Sequence, residues 1–227
     1  MKKYVVMLAL LTMQQLALAQ TVNVHFKNGQ VIEYPSTNID FVDFSGKGTE
    51  PTITAGEAID LGLPVLWASC DLDAKKPEET GARYAWGETK TKTDFNNENY
   101  AFYDAEKKQF IDIGDDISGT EYDAATVNLG GSWRIPTREE MQELVANCTW
   151  EWVKYNNIYG YKIVGKNGNS IFLPTRDTNN CLYRTSSYSP YSPVYTYGLW
   201  ATSISIKIDA AMIGRADGFP IRPVKSK

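Results

Sequence analysis

The stretch Arg134-Ile135-Pro136-Thr137-Arg138-Glu139-Glu140 constrains the fold more tightly than any other part of the chain. Thr137 is a hydroxyl residue placed to accept a hydrogen bond from the first helical turn. Glu140, three residues on, can return the bond to the Thr137 amide, which completes a capping box. Met141, Leu144, Val145 and Cys148 then recur at i, i+3, i+4 and i+7, the spacing of one helix face. The spacing therefore predicts a helix opening at Thr137 with that face turned into the core. Everything around it reads as short strand. Tyr161 to Val164 and Ser170 to Leu173 flank Lys166-Asn167-Gly168-Asn169, a hairpin signal. Val65 to Cys70 reads as a buried strand, and Leu199 to Ile206, Ala210 to Ile213 and Phe219 to Val224 as further short ones. One helix among several short strands predicts an α+β domain.

The N-terminal segment bears on compartment. Lys2 and Lys3 precede an apolar run from Val5 to Leu11, and Ala17-Leu18-Ala19 offers the small residues a signal peptidase requires. Residues 1–19 are expected to be a signal peptide, leaving Gln20 first. The run falls short of the roughly 20 apolar residues a bilayer span needs, and no Cys stands at the cleavage point to take a lipid. The mature chain is thus expected to be exported, to periplasm, cell surface or medium, with no membrane span. Residues 20–45 read as a small β module: Val22, Val24 and Phe26 alternate with polar residues, Asn28-Gly29 provides a turn, and Val31 to Tyr34 returns. Ile39, Phe41 and Phe44 suggest a third short strand there. Residues 46–55 are a linker by composition, and 56–227 form the main domain, with a polar excursion from Thr89 to Thr120.

Several function classes are disfavoured by residue content. The formal charge is −4, and loss of Lys2 and Lys3 makes the mature chain more acidic still, so no basic face for nucleic acid is expected. His25 is the single histidine and sits on the predicted hairpin, away from any nucleophile it could activate. With three dispersed cysteines, Cys70, Cys148 and Cys181, no zinc site has usable spacing. Two readings of these cysteines stand side by side: Cys70 bridged to Cys148 in an oxidising compartment, or buried thiols acting as small hydrophobes. Asp112, Asp115, Asp116, Glu121 and Asp123 make an acidic loop. Calcium suits clustered oxygens, but the spacing is not that of an EF-hand, and a solvated loop is the simpler reading. No cofactor is expected. Carboxylates are plentiful enough for a two-carboxylate hydrolase, yet abundance is not pairing.

The segment from Asp177 to Tyr197 is different. It interleaves Tyr183, Tyr188, Tyr191, Tyr195 and Tyr197 with Ser, Thr and Pro, and Arg184 is almost its only charge. Tyr gives a large contact area with few rotors and a polar tip, as in paratopes. These residues, with Asp209, Arg215 and Asp217 from the region Ile208 to Asp217, are the candidate contact surface for a protein or glycan ligand. The competing reading makes the tyrosines a cover for the domain's own core. Trp67, Trp86, Trp133 and Trp200 are assigned to packing, and Arg222 to a structural hydrogen bond or ion pair.

Taken in order, Asp60-Leu61-Gly62-Leu63-Pro64-Val65-Leu66-Trp67-Ala68-Ser69-Cys70, Tyr84-Ala85-Trp86-Gly87-Glu88, Gly130-Gly131-Ser132-Trp133-Arg134-Ile135-Pro136-Thr137 and Asn147-Cys148-Thr149-Trp150 form a recognisable series. It continues in Asn169-Ser170-Ile171-Phe172-Leu173-Pro174, Leu199-Trp200-Ala201-Thr202-Ser203 and Gly218-Phe219-Pro220-Ile221-Arg222-Pro223-Val224. From about residue 56 to the end the chain resembles the Fibrobacter succinogenes major paralogous domain family, common in exported proteins of Bacteroidetes. The resemblance implies a C-type-lectin-like fold, a twisted antiparallel sheet carrying a helix and a long variable loop region. Relatives of that fold include the variable proteins of diversity-generating retroelements. The chain lacks the Glu-Pro-Asn or Gln-Pro-Asp triplet with which sugar-binding C-type lectins hold calcium, and the C-terminal cysteine pair of formylglycine-generating enzymes. The expected function is non-catalytic binding. A carbohydrate-active hydrolase and a cell-envelope assembly protein, joined to its partner through the N-terminal hairpin, are the alternatives.

Overall fold

The computed structural model describes residues 57–175, 180–208 and 213–227, together with the backbone of Thr21–His25 and Val31–Pro35. The chain divides into two units, Met1–Thr52 and Ile53–Lys227. In the first, β1 (Thr21–His25) and β2 (Val31–Pro35) pair antiparallel with His25 opposite Val31. The expected Asn28-Gly29 turn, Phe26, the third strand and the signal segment lie outside the described residues.

In the second unit, β3 (Ala58–Asp60) pairs with β4 (Val65–Ala68), β4 with β15 (Val224–Ser226), and β15 with β7 (Trp133–Arg134). Val224 lies opposite Trp67, so the two ends of the domain close on one sheet. The helix predicted from Thr137 is α2 (Arg138–Asn147); Thr137 and Glu140 make both bonds of the capping box. A short helix, α1 (Ala124–Leu129), precedes it. Next comes a three-stranded sheet of β8 (Thr149–Tyr155), β9 (Ile158–Val164) and β10 (Ser170–Pro174). The last sheet holds β11 (Asn180–Tyr188), β12 (Tyr195–Thr202), β13 (Ser205–Ile208) and β14 (Ile213–Gly214). Every pairing is antiparallel. The architecture is sheet-rich α+β, as expected. Among the described residues no helix is long and apolar enough to cross a membrane.

Burial explains why these segments took these places. Met141 and Leu144 of α2 are fully buried, and Val145 and Cys148 pack beside them against Trp67, Ile163, Leu173, Leu199 and Val224. A second cluster holds Trp86, Ile117, Ile135 and Ile221. The polar excursion is less formless than its composition suggests. β5 (Tyr103–Asp104) and β6 (Gln109–Phe110) form a hairpin whose aromatics pack on Tyr100 and Ala216. Of the four tryptophans assigned to packing, Trp67 and Trp86 are fully buried, whereas Trp133 and Trp200 are half-buried.

The cysteines are free thiols, so Cys70 and Cys148 are not bridged. Cys148 belongs to the α2 face, while Cys70 follows β4 and its sulfur accepts from the Ser69 hydroxyl at 3.7 Å. Burial pushes both thiols up from their ordinary range, which disfavours the nucleophilic thiolate.

One glycine in β9 is fixed by crowding. Gly160 lies under the Phe172 ring, and a Cβ there would come within 2.6 Å of that ring and closer still to the Leu173 carbonyl. Gly160→Ala is expected to destabilise the domain by about 2–3 kcal/mol, the cost of overpacking against backbone. Urea unfolding midpoints check this, at unchanged m-value.

Candidate functional site

The Tyr-rich segment is mostly strand. β11 runs nine residues to Tyr188 and β12 begins at Tyr195, so among the described residues of the segment 189–194 form the loop. The pairing runs in register from Asn180↔Thr202 to Arg184↔Gly198, then shifts, and resumes at Tyr188↔Thr196. That irregularity twists the strand end and re-aims its side chains. The loop closes on itself: Ser192 N donates to Ser189 O, Tyr195 N to Ser192 O, and Ser189 N to Tyr195 O. From the other side, Arg215 N donates to Val194 O at 2.8 Å, and β14 pairs Gly214 with Tyr195.

Four of the expected contact residues are structural instead. Tyr183 is fully buried, its hydroxyl donating to the Asp71 carboxylate at 3.1 Å. Arg184 is fully buried too. Its guanidinium donates to the carbonyls of Tyr84, Gly214 and Asp217 and to the Thr196 hydroxyl, and burial pulls its pKa down to about 10. Tyr197 is buried beneath Arg138, whose guanidinium lies 3.9 Å from the ring centroid. Arg215 is threaded among aromatic rings, 4.8 Å from Trp86, 5.2 Å from Phe110 and 5.9 Å from both Tyr100 and Tyr188. One of its Nη atoms donates to Ile111 O at 2.7 Å. The physical reasons differ. Strand alternation turns Tyr183 and Tyr197 inward with Leu199, Arg184 supplies several donors to buried carbonyls, and Arg215 gives one donor to Ile111 O and places its charge among the rings.

What remains at the surface is narrower. Tyr191 is 87% exposed, and Tyr195 and Val194 are exposed beside it. Tyr188 is half-buried, its ring 6.2 Å from that of Trp86. Asp217 is exposed and lines a depression of about 450 Å3 with Arg83, Asp94, Phe95 and Phe219. Asp209 lies outside the described residues. The tyrosines therefore divide: Tyr183 and Tyr197 are core, Tyr188 is the hinge between core and loop, and Tyr191 and Tyr195 are presented outward. Beneath the loop, Arg215 N bonds Val194 O, and Arg184 bonds Thr196 Oγ1 and Gly214 O in the strands that flank it. Sequence reasoning missed Arg83, Asp94 and Phe95, which carry no local motif.

Two other features bear on chemistry. A second cavity, of about 360 Å3 and mainly apolar, lies on the outer face of the β8–β10 sheet. It is lined by Ile59, Pro77, Val153, Tyr155 and Phe172, with Lys162 as its charge. The acidic loop does not converge on a point. Asp112 accepts from Gly114 N, Asp116 from Ser118 N, and Asp123 caps α1. Among the described residues no group of three or more His, Cys, Asp or Glu could hold a metal ion. The chain matches no protein-family model, no curated protein and no solved structure.

Proposed function

We propose that this chain is an exported, non-catalytic binding protein whose domain over 56–227 has a C-type-lectin-like fold of the Fibrobacter succinogenes major paralogous domain family. It engages a protein or glycan ligand through the loop from Ser189 to Tyr195. One observation carries the reading: Tyr191 on the six-residue loop and Tyr195 at the start of β12 stand exposed together, with Arg184 and Arg215 bonding the backbone and side chains below them. Exposed aromatics on a preformed loop lose little entropy on binding, the arrangement that paratopes reach by maturation. The antiparallel sheets, the capped α2 and the long excursion support the fold assignment.

The test is a glycan and surface-protein array probed with residues 20–227, in calcium and in EDTA. Tyr191→Ala with Tyr195→Ala is expected to weaken binding by roughly 30-fold or more, the scale of a lost aromatic hot spot, at an unchanged melting temperature. Binding indifferent to both substitutions overturns the loop as the site. The EDTA arm reads metal dependence directly.

A second reading, a carbohydrate-active hydrolase, is favoured by one feature: Asp94 and Asp217 line the same depression. It expects glycan cleavage that Asp94→Asn and Asp217→Asn each abolish. Turnover that survives both, or none in the parent chain, removes it.

A further inference from the structure

The β8–β10 sheet has two edges, and only one is finished. On β10, Pro174 has no N–H to offer, its carbonyl is covered by the Tyr183 hydroxyl at 3.3 Å, and the Phe172 carbonyl accepts from Arg222. Among the described residues β8 carries no such cover. It turns into β9 through Asn156 and Asn157, both at positive φ (44° and 68°), the two-residue turn that makes Tyr155 and Ile158 a hydrogen-bonded pair. Antiparallel alternation then fixes the rest. Thr149, Glu151, Val153 and Tyr155 direct their backbone groups to β9, and Trp150, Trp152 and Lys154 direct theirs outward. The bonds from Gly165 N to Asn169 O and from Thr175 N to Tyr159 O fit the same alternation. Among the described residues nothing bonds the outward amides and carbonyls of Trp150, Trp152 and Lys154.

We infer that two copies of this chain join through their β8 edges, antiparallel and centred on Trp152, to make one continuous six-stranded sheet. A two-fold axis through Trp152 sets Trp152 opposite Trp152 and Trp150 opposite Lys154. Those three residues are the ones with free backbone groups, so the register uses each of them. The side chains agree with it. Glu151 falls opposite Val153 and Thr149 opposite Tyr155, so no like charges meet, and each Lys154 faces a Trp150 ring. Lys154 already sits 5.3 Å from the Tyr159 ring, and Trp152 lies parallel to Tyr159 at 6.2 Å. Exposed Tyr155, Ile158 and Tyr159 flank the seam. A segment that complements itself under two-fold rotation fits a second copy of the chain rather than an unrelated strand.

Sedimentation equilibrium of residues 20–227 is expected to show a monomer–dimer equilibrium. Lys154→Pro removes one outward donor per copy, at a position whose N–H the monomer leaves unused. It is expected to weaken the dimer by roughly 30-fold, for two lost hydrogen bonds of ordinary net worth, with the monomer's melting temperature unchanged. The register has its own check. Chains carrying Glu151→Cys mixed with chains carrying Val153→Cys are expected to form an oxidised covalent dimer that neither forms alone. A chain that stays monomeric to its solubility limit overturns the inference, as does a dimer that is indifferent to Lys154→Pro and not cross-linked in the mixture. The first outcome would make Lys154 and Glu151 guards against edge pairing.

Discussion

Arg222→Met is expected to destabilise the main domain by about 3–5 kcal/mol, the cost of leaving a buried charge without its partner. Arg222 and Asp71 are both inaccessible to solvent and meet at 2.8 Å through Nε and through Nη2. The same guanidinium donates to the carbonyls of Ala68, Ser69 and Phe172, so one side chain joins the end of β4, the edge of β10 and the approach to β15. Met fills much of the volume and supplies none of those donors. The pair itself carries little net stability, because desolvating two ions cancels most of their attraction. Arg222→Met combined with Asp71→Leu is therefore expected to recover a good part of the loss. Burial pushes the Asp71 carboxyl up from its usual range, and Arg222 opposes that shift. In the single variant the opposition is gone, so the folded carboxyl, already above the unfolded one in the parent, takes up its proton at a higher pH still. Between the unfolded and the folded value stability falls as pH rises, and the defect of Arg222→Met shrinks on acidification. Urea titrations at several pH values test both statements. A loss below about 1 kcal/mol, or one that deepens in acid, would show that the pair does not hold the three strands together.

That ion pair explains why some of the fold was legible in the sequence and some was not. The parts that could be read are those whose determinants lie within a few residues of one another. Thr137, Glu140, Met141 and Leu144 specify α2 and its buried face within eight residues, and Asn167-Gly168 specifies the β9–β10 turn. The turn before β9 has a local signal too, since Asn is among the few residues besides Gly that adopt positive φ readily, and Asn156 and Asn157 both do.

The Tyr-rich segment misled because its partners are distant. Thr185 and Ser186 are polar, small and fully buried, a combination that looks like a solvated loop in sequence. They are tolerated in β11 because Thr185 Oγ1 donates to Tyr197 O and Ser186 Oγ to Pro136 O, 12 and 50 residues away. A polar residue is priced by whether its bond is made, and that was not visible locally. Arg184 follows the same logic, anchoring carbonyls of Tyr84, Gly214 and Asp217, and Arg215 reaches Ile111 O, 104 residues away. The exposed portion, Tyr191 and Tyr195, is what remains of the candidate surface once these tertiary bonds are counted.

Asp123 carries the second large effect, and it also shows what the acidic loop is for. Its side chain is fully buried, and it accepts four backbone N–H groups. Oδ1 takes Ala125 N at 2.8 Å and Thr126 N at 3.0 Å, and Oδ2 takes Gly119 N and Ile135 N, both at 2.8 Å. One carboxylate thus caps α1, closes the turn before it and holds the residue that leads into α2. Asp123→Ala strips the partner from four donors at once, two of them beside buried Ala125 and Ile135. The expected loss is about 3–5 kcal/mol, above the usual cost of a helix cap because the bonds are charge-assisted and the site excludes water. Asp123→Asn keeps one acceptor oxygen and puts an NH2 where the other stood. It can serve only one pair of donors and turns a donor toward the other, so it is expected to recover less than half. If calcium were what held this loop, EDTA would lower the parent's melting temperature and Asp123→Ala would remove that response. With the carboxylate acting on backbone amides, the parent's melting curve is expected to be the same in calcium and EDTA, while Asp123→Ala melts lower in both.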